Sequence, residues 1–359
     1  LRLSKDLEGR SFQLLANGFA ENLPCLRGQK LDEKSPIVSC HKSSALQLPF
    51  LGEGTGGIVF KCDCNGKSYS LKISKKKQRF NLEGEKKIYE TLQEKSKISR
   101  NILHLVGYYD LHSLALENVP EGLSQNSLCL VFDCCVSNLY AKEFRGISLR
   151  RSIKLLKQIL SGLIFLEDLN LIHGDLKPEN LLWTGSAVKI ADFGLTQKVF
   201  EQRCSLIQSL YYRAPEVLSR RFPYDLVVDV WSVGCIFLEM HTGCVLFSFS
   251  EKEKEEKHLA FIHEKLTPSL EEGEKKGAKR RRVTGSEKVD YLLQELERGK
   301  NDLERRKFSS PAVYDLLYLK VAQWMRGILS IDPTHRFSAR EAFRSLLRLE
   351  EDLSIQDVE

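Results

Sequence analysis

From His173 to Asn180 the chain reads His-Gly-Asp-Leu-Lys-Pro-Glu-Asn, and twelve positions after Asn180 comes Asp192, followed by Phe193 and Gly194. These residue types at this spacing suit phosphoryl transfer. Asp175 is placed to accept the proton of an attacking hydroxyl, and Asn180 and Asp192 to hold two Mg²⁺ ions against the phosphates of ATP. Lys177, two residues beyond Asp175, is placed to neutralise charge on the γ-phosphoryl group as it moves. His173 reads as a structural histidine rather than a ligand.

A second group lies upstream. Gly52-Glu53-Gly54-Thr55-Gly56-Gly57-Ile58-Val59 sets Gly52, Gly54, Gly57 and Val59 in a GxGxxGxV pattern. A dinucleotide-binding turn would open a helix at this point. Here a strand follows, so the pattern predicts a hairpin flap over phosphates. Lys72 stands in Tyr69-Ser70-Leu71-Lys72-Ile73, where strand alternation sends Ser70 and Lys72 to one face beneath that flap. A lysine there binds α- and β-phosphates and needs an anionic partner to hold it; Glu85 is the choice and Glu83 the alternative.

The elements that must position these groups follow from periodicity. Segments 47–52, 58–64 and 67–74 read as strands of an antiparallel meander, 81–94 as a helix, and 102–110 and 127–133 as two further strands. Past residue 135 helical patterns dominate: 149–168, 227–240, 312–329 and 339–347. The second of these is apolar on almost every side, the pattern of a helix buried all round. Residues 251–307 are charge-rich and read as an irregular insertion with some helix.

With 359 residues and 42% hydrophobic content the chain can bury a full core, which excludes disorder throughout. Its 10 cysteines are scattered and no secretory signal opens the chain, so they read as reduced thiols in an intracellular, cytoplasmic or nuclear setting. No apolar run reaches the roughly 20 residues of a spanning helix, so no membrane partner is expected. The net charge of +6 is matched by the run Lys275, Lys276, Lys279, Arg280, Arg281 and Arg282, and the rest is balanced. No nucleic-acid partner is expected either; the run reads as a solvated loop, with a nuclear-localisation or docking patch as the alternative. The chain opens on Leu1 rather than Met, which suggests a piece of a longer protein.

Over residues 48–347 the motifs resemble the eukaryotic protein kinase family. Ala214-Pro215-Glu216 resembles its APE segment, Asp229, Trp231 and Gly234 its buried central helix, and Arg336 the arginine that pairs with that glutamate. Leu128–Phe132, Asn138–Tyr140, Phe144–Leu149 and the run from Pro223 to Ser232 are most similar to the dual-specificity tyrosine-regulated kinases, with the homeodomain-interacting kinases as near relatives. The resemblance implies an α+β, bilobal protein kinase fold: an N-lobe of a five-stranded antiparallel sheet plus one helix (46–135) and a mainly helical C-lobe (136–350). Residues 1–45 would be an extension and 351–359 a tail. It also implies Phe132 as gatekeeper, Asp133 to Cys135 as the adenine-binding hinge, and Ser209 contacting Asp175 and Lys177.

The implied activity is ATP- and Mg²⁺-dependent transfer to Ser/Thr hydroxyls of protein substrates by a monomeric domain, with a weak indication of proline direction from Arg213. The alternatives are a scaffold that keeps the fold for binding alone, and a small-molecule kinase. Two departures bear on this. Gly174 stands where most of the family has arginine, and Leu206 stands where the nearest subfamily carries an activating tyrosine. The loop from 196 to 210 offers only Thr196, Ser205 and Ser209 as phosphoacceptors, so activity independent of loop tyrosine phosphorylation is expected.

Overall fold

In the strand Lys67–Ile73, Tyr69, Leu71 and Ile73 must share one face and Ser70 and Lys72 the other. The computed structural model places this strand in the middle of a sheet. It describes residues 49–54, 56–64, 66–95, 99–111, 123–124, 126–202, 206–248, 255–266 and 311–356, with the short pairs 13–14, 29–30 and 46–47. The basic run at 275–282, most of the charged insertion, and Ser205 lie outside the described residues. Two compact units result, Leu1–Val136 with Asp192–Gly194, and Ser137–Ala191 with Leu195–Glu359.

In the first unit, β1 (Phe50–Glu53), β2 (Ile58–Cys64), β3 (Lys67–Ile73), β4 (Leu105–Asp110) and β5 (Leu128–Asp133) form an antiparallel sheet in the order β4-β5-β3-β2-β1. These are the five expected strands. The pair Gln29–Lys30 adds a parallel edge to β4, which the sequence did not suggest. Register sets Lys72 opposite Val59 on one side and Leu130 on the other. Phe60, Cys62, Tyr69, Leu71, Ile73, Tyr109, Cys129 and Val131 build the core on one face. The helix α1 (Arg79–Gln93) starts two residues before the expected Asn81 and buries Leu82, Glu85, Tyr89 and Leu92.

The second unit is built on α2 (Leu149–Glu167), α3 (Val227–Thr242), α4 (Glu255–Leu266), α5 (Pro311–Ile328) and α6 (Ala339–Gln356). Ser148 caps α2 by accepting from the Arg151 amide at 3.3 Å. Every residue of α3 from Val228 to Thr242 is buried, as its uniform apolarity implied. Trp231 of α3 stacks on Phe247 with centroids 5.6 Å apart, and Trp324 of α5 donates to the Ala342 carbonyl of α6 at 2.9 Å. The last helix runs to Gln356, beyond the Leu347 that its periodicity marked. No disulfide joins Cys62, Cys129, Cys134, Cys135, Cys235 or Cys244, and no described helix is long and apolar enough to cross a membrane.

One buried ion pair ties the segment after residue 206 to the helices. Arg336 Nη1 and Nη2 meet Glu216 Oε1 and Oε2 at 2.5 and 2.9 Å, with the arginine side chain 0% and the glutamate 5% exposed. The guanidinium also lies 5.1 Å from the Trp231 ring. Removing one member strands the other charge away from water. Arg336→Met is therefore expected to lose about 3–5 kcal/mol of unfolding free energy in urea titration; a loss under about 1 kcal/mol would show that the pair is not structural.

Candidate active site

In the first unit the hairpin β1–β2 closes through Gly54 N–H donating to the Gly57 carbonyl at 2.9 Å. Gly57 has no room for a side chain, since a Cβ there would stand 2.4 Å from the Ile73 carbonyl oxygen. Gly56 lies over Lys72: a Cβ on it would be 3.4 Å from Lys72 Cε. The glycine hairpin and the strand lysine are thus neighbours, as the pattern predicted. Gly52 and Gly54 crowd nothing, with no atom within 4 Å of a built Cβ.

Lys72 Nζ donates to Glu85 Oε2 at 2.6 Å and to Asp192 Oδ1 at 2.9 Å. Glu83, the alternative, instead pairs with Arg79 at 2.7 Å. Burial works to lower the Lys72 pKa, but attraction to Glu85 and Asp192 and the two hydrogen bonds outweigh it, so the ammonium is held above its ordinary value. The Glu85 carboxyl is raised as well, by burial, to about 7, in spite of the Lys72 charge that works to lower it. The 2.6 Å contact has the length of a charge-assisted bond between the two side chains.

One turn after Glu85, Tyr89 sits between two aromatic rings, 5.0 Å from Phe132 and 5.0 Å from Phe193. Beyond Phe132, Asp133 is exposed and pairs with Lys67 at 2.7 Å, while the Cys134 N–H donates to the Ser68 carbonyl at 3.1 Å. Cys135 is half-buried, and so are Ser70 and Val59 on the sheet.

The second unit holds the other residues. Asp175 accepts from Lys177 Nζ at 2.7 Å and from Ser209 Oγ at 2.8 Å, and Lys177 Nζ also donates to Ser209 Oγ at 2.9 Å. Asn180 Nδ2 donates to the Asp175 carbonyl at 2.8 Å and to Asp175 Oδ2 at 3.2 Å. Asp175, Lys177, Asn180 and Ser209 are therefore one hydrogen-bonded cluster. Because the Asp175 N–H donates to His173 Nδ1 at 3.2 Å, His173 carries its proton on Nε2 and donates to the Ala191 carbonyl at 3.0 Å. That buried histidine is structural, as read.

The loop holding Asp175 hangs from α3. Asp229 accepts from the His173 and Gly174 amides at 2.6 and 3.0 Å. Burial raises the Asp229 pKa, and the His173 and Gly174 interactions oppose the rise. Gly174 has φ +76°, and a Cβ there would lie 2.9 Å from the Leu195 carbonyl oxygen. Backbone conformation and a close approach both favour glycine at this position.

Sequence reasoning missed Gln208. It is 3% exposed with φ 65°. Its side chain donates to the Val228 carbonyl at 2.7 Å and to Ser232 Oγ at 2.9 Å, and accepts from the Ala214 amide at 2.9 Å. Its N–H donates to the Gly174 carbonyl at 2.7 Å, while Arg213 Nη2 takes its carbonyl at 2.8 Å. A glutamine in a polar loop carries no periodic signal, so nothing local marks it.

The protein kinase domain profile matches residues 46–347. The chain is 35% identical over 231 residues to the human dual specificity tyrosine-phosphorylation-regulated kinase 4, covering 61% of this chain and 41% of that protein. It is 37% identical over 211 residues to the probable serine/threonine-protein kinase dyrk2 of Dictyostelium discoideum (56% and 21%), and 34% identical over 213 residues to the dual specificity protein kinase YAK1 of Saccharomyces cerevisiae (56% and 25%). The chain thus spans well under half the length of these relatives.

The burial of Glu85 has a pH signature. Its carboxyl is raised above the ordinary 4.5, so from there upward the folded state binds more protons than the unfolded one, and stability falls as pH rises through the raised value. Lys72→Met removes the opposing charge and extends that window upward. The melting temperature of Lys72→Met should drop more steeply from about pH 5 to about pH 8 than that of Lys72→Met/Glu85→Gln. Parallel profiles would contradict the account.

Proposed function

The chain belongs to the protein kinase family, and on that premise we propose that it transfers the γ-phosphoryl group of ATP to serine or threonine hydroxyls of protein substrates. The observation that carries this reading is the Asp175 carboxylate held between Lys177 and Ser209 at 2.7 and 2.8 Å. A carboxylate so oriented can take the proton of an acceptor hydroxyl, and Ser209 beside it can align that hydroxyl. Lys177 offsets charge on the transferred group. In the first unit, Lys72, fixed by Glu85, binds the α- and β-phosphates beneath the glycine hairpin. The backbone of Asp133 to Cys135 holds adenine next to Phe132.

For Mg²⁺ the donors fit in kind. Asn180 spends its amide nitrogen on Asp175, which leaves its oxygen as the ligand atom, and Asp192 brings one carboxylate. One hard oxygen from each unit is the kind of donor Mg²⁺ takes when phosphates and water complete its shell. No described group of three or more His, Cys, Asp or Glu offers a fuller cage. Bound Mg²⁺ would neutralise phosphate charge.

Arg213 also supports a preference for proline after the acceptor. It binds the Gln208 carbonyl next to Ser209, so an incoming residue's N–H loses that acceptor, and proline has no N–H to satisfy. Activity should not need loop tyrosine phosphorylation: Leu206 offers no hydroxyl, and Gln208 and Arg213 fix the segment by hydrogen bonds to backbone amide and carbonyl groups. We place this monomeric domain in a reducing intracellular compartment.

With radiolabelled ATP, Mg²⁺ and a panel of basic and proline-containing peptides, the wild type should label peptide. Asp175→Asn should lose at least about 100-fold in turnover while still binding nucleotide, and Asp192→Asn should lose Mg²⁺-dependent binding. Nucleotide binding without transfer by the wild type would favour a binding module instead. Treatment with a tyrosine phosphatase should leave the rate unchanged; protein that is inert until a tyrosine kinase modifies it would contradict the proposal.

A further inference from the structure

The helix that carries Glu85 is weak by its own sequence. Gln78 at the N-cap of α1 makes no side-chain cap hydrogen bond, and the first turn contains no acidic residue to meet the helix dipole. Gly84, a poor interior helix former, directly precedes Glu85. Packing does not impose that glycine, because a Cβ built on it meets nothing within 4 Å. Local propensity therefore leaves the N-terminal half of α1 prone to fray, in the half-turns that must present Glu85.

Tertiary ties offset this weakness. Arg79, in the first turn, reaches Asp110 Oδ1 with Nη2 at 2.5 Å, the Asn126 carbonyl with Nη1 at 2.5 Å and Glu83 with Nε at 2.7 Å. Asp110 is the last residue of β4 and only 8% exposed, so its carboxylate depends on a cation. Asn126 lies two residues before β5. At the far end of the helix, Gln93 Nε2 donates to the Leu105 carbonyl, at the start of β4, at 2.7 Å. The helix is thus tied to both ends of β4, with Glu85 between the ties.

We propose that Arg79 is a positioning residue whose clamp on Asp110 and the Asn126 carbonyl keeps the first turns of α1 folded and Glu85 in reach of Lys72, with no second protein bound to the helix. This rests on the reading of Lys72 and Glu85 as the pair that positions ATP phosphates. Lysine cannot replace the arginine, since its ammonium lacks the forked geometry that serves a carboxylate and a carbonyl together.

The test measures MgATP binding by calorimetry, and amide hydrogen exchange over residues 80–88, in the purified full chain. Arg79→Ala and Arg79→Lys should weaken MgATP binding about five-fold and speed exchange across those amides. Adding Gly84→Ala to Arg79→Ala should restore both, because it strengthens the helix without touching the clamp. In a Glu85→Gln background Arg79→Ala should have no further effect on binding, which a general loss of structure would not reproduce. A wild type that binds, with Arg79→Ala binding equally well or unrescued by Gly84→Ala, overturns the clamp alone. A wild type that binds no MgATP overturns the functional reading and the clamp with it.

Discussion

A lysine ammonium withdrawn from water between two carboxylates is the constraint on which the first unit turns. Lys72 is 9% exposed and Glu85 2%, so each is tolerable only because the other is there. That mutual dependence fixes β3 against α1 to within a hydrogen-bond length and brings in Asp192 as the third member. Any shift of the helix along the sheet separates charges that have no water to replace the lost partner. The ammonium gains a defined position in this way, which a solvated lysine on a flexible stem lacks.

The second unit solves a different problem, holding irregular backbone in place without regular structure. Its answer is to hang loops from buried polar groups of α3 and its surroundings. Asp229 gathers two amides of the loop before Asp175, and Gln208 joins the later segment to Val228, Ser232 and Ala214. Tyr212 adds a bond to Glu239 at 2.6 Å. Each group is satisfied, and satisfied buried networks specify one arrangement where apolar packing would admit several.

The grouping of most candidate site residues was legible in the sequence because they stand at short, fixed offsets. Asp175, Lys177 and Asn180 sit within one short loop, and their cluster follows from that closeness. Lys72 was found by strand alternation. Between Glu85 and Glu83 the sequence left a choice, which the structure decides: Glu85 meets Lys72 and Glu83 goes to Arg79. The five strands and four long helices were legible for the same reason, since period two and period 3.6 are written locally. What escaped detection depends on distant partners. Gln208 matters through residues on α3 and Arg79 through the end of β4, and Gly174, noticed as a departure, owes its place to the Leu195 carbonyl, which no local pattern reveals. The Gln29–Lys30 edge has too few residues to show any period.

The tilted and edge-on contacts of Tyr89 with Phe132 and Phe193 link α1 to β5 and to the residue after Asp192. Parting the phenol ring from either neighbour, each 5.0 Å away, forfeits an aromatic contact worth about 0.5–1.5 kcal/mol beyond simple burial. Displacing α1 therefore disturbs the residue next to Asp192 as well as the Lys72 pair, so the three ionic groups are held in place by rings as well as by charge.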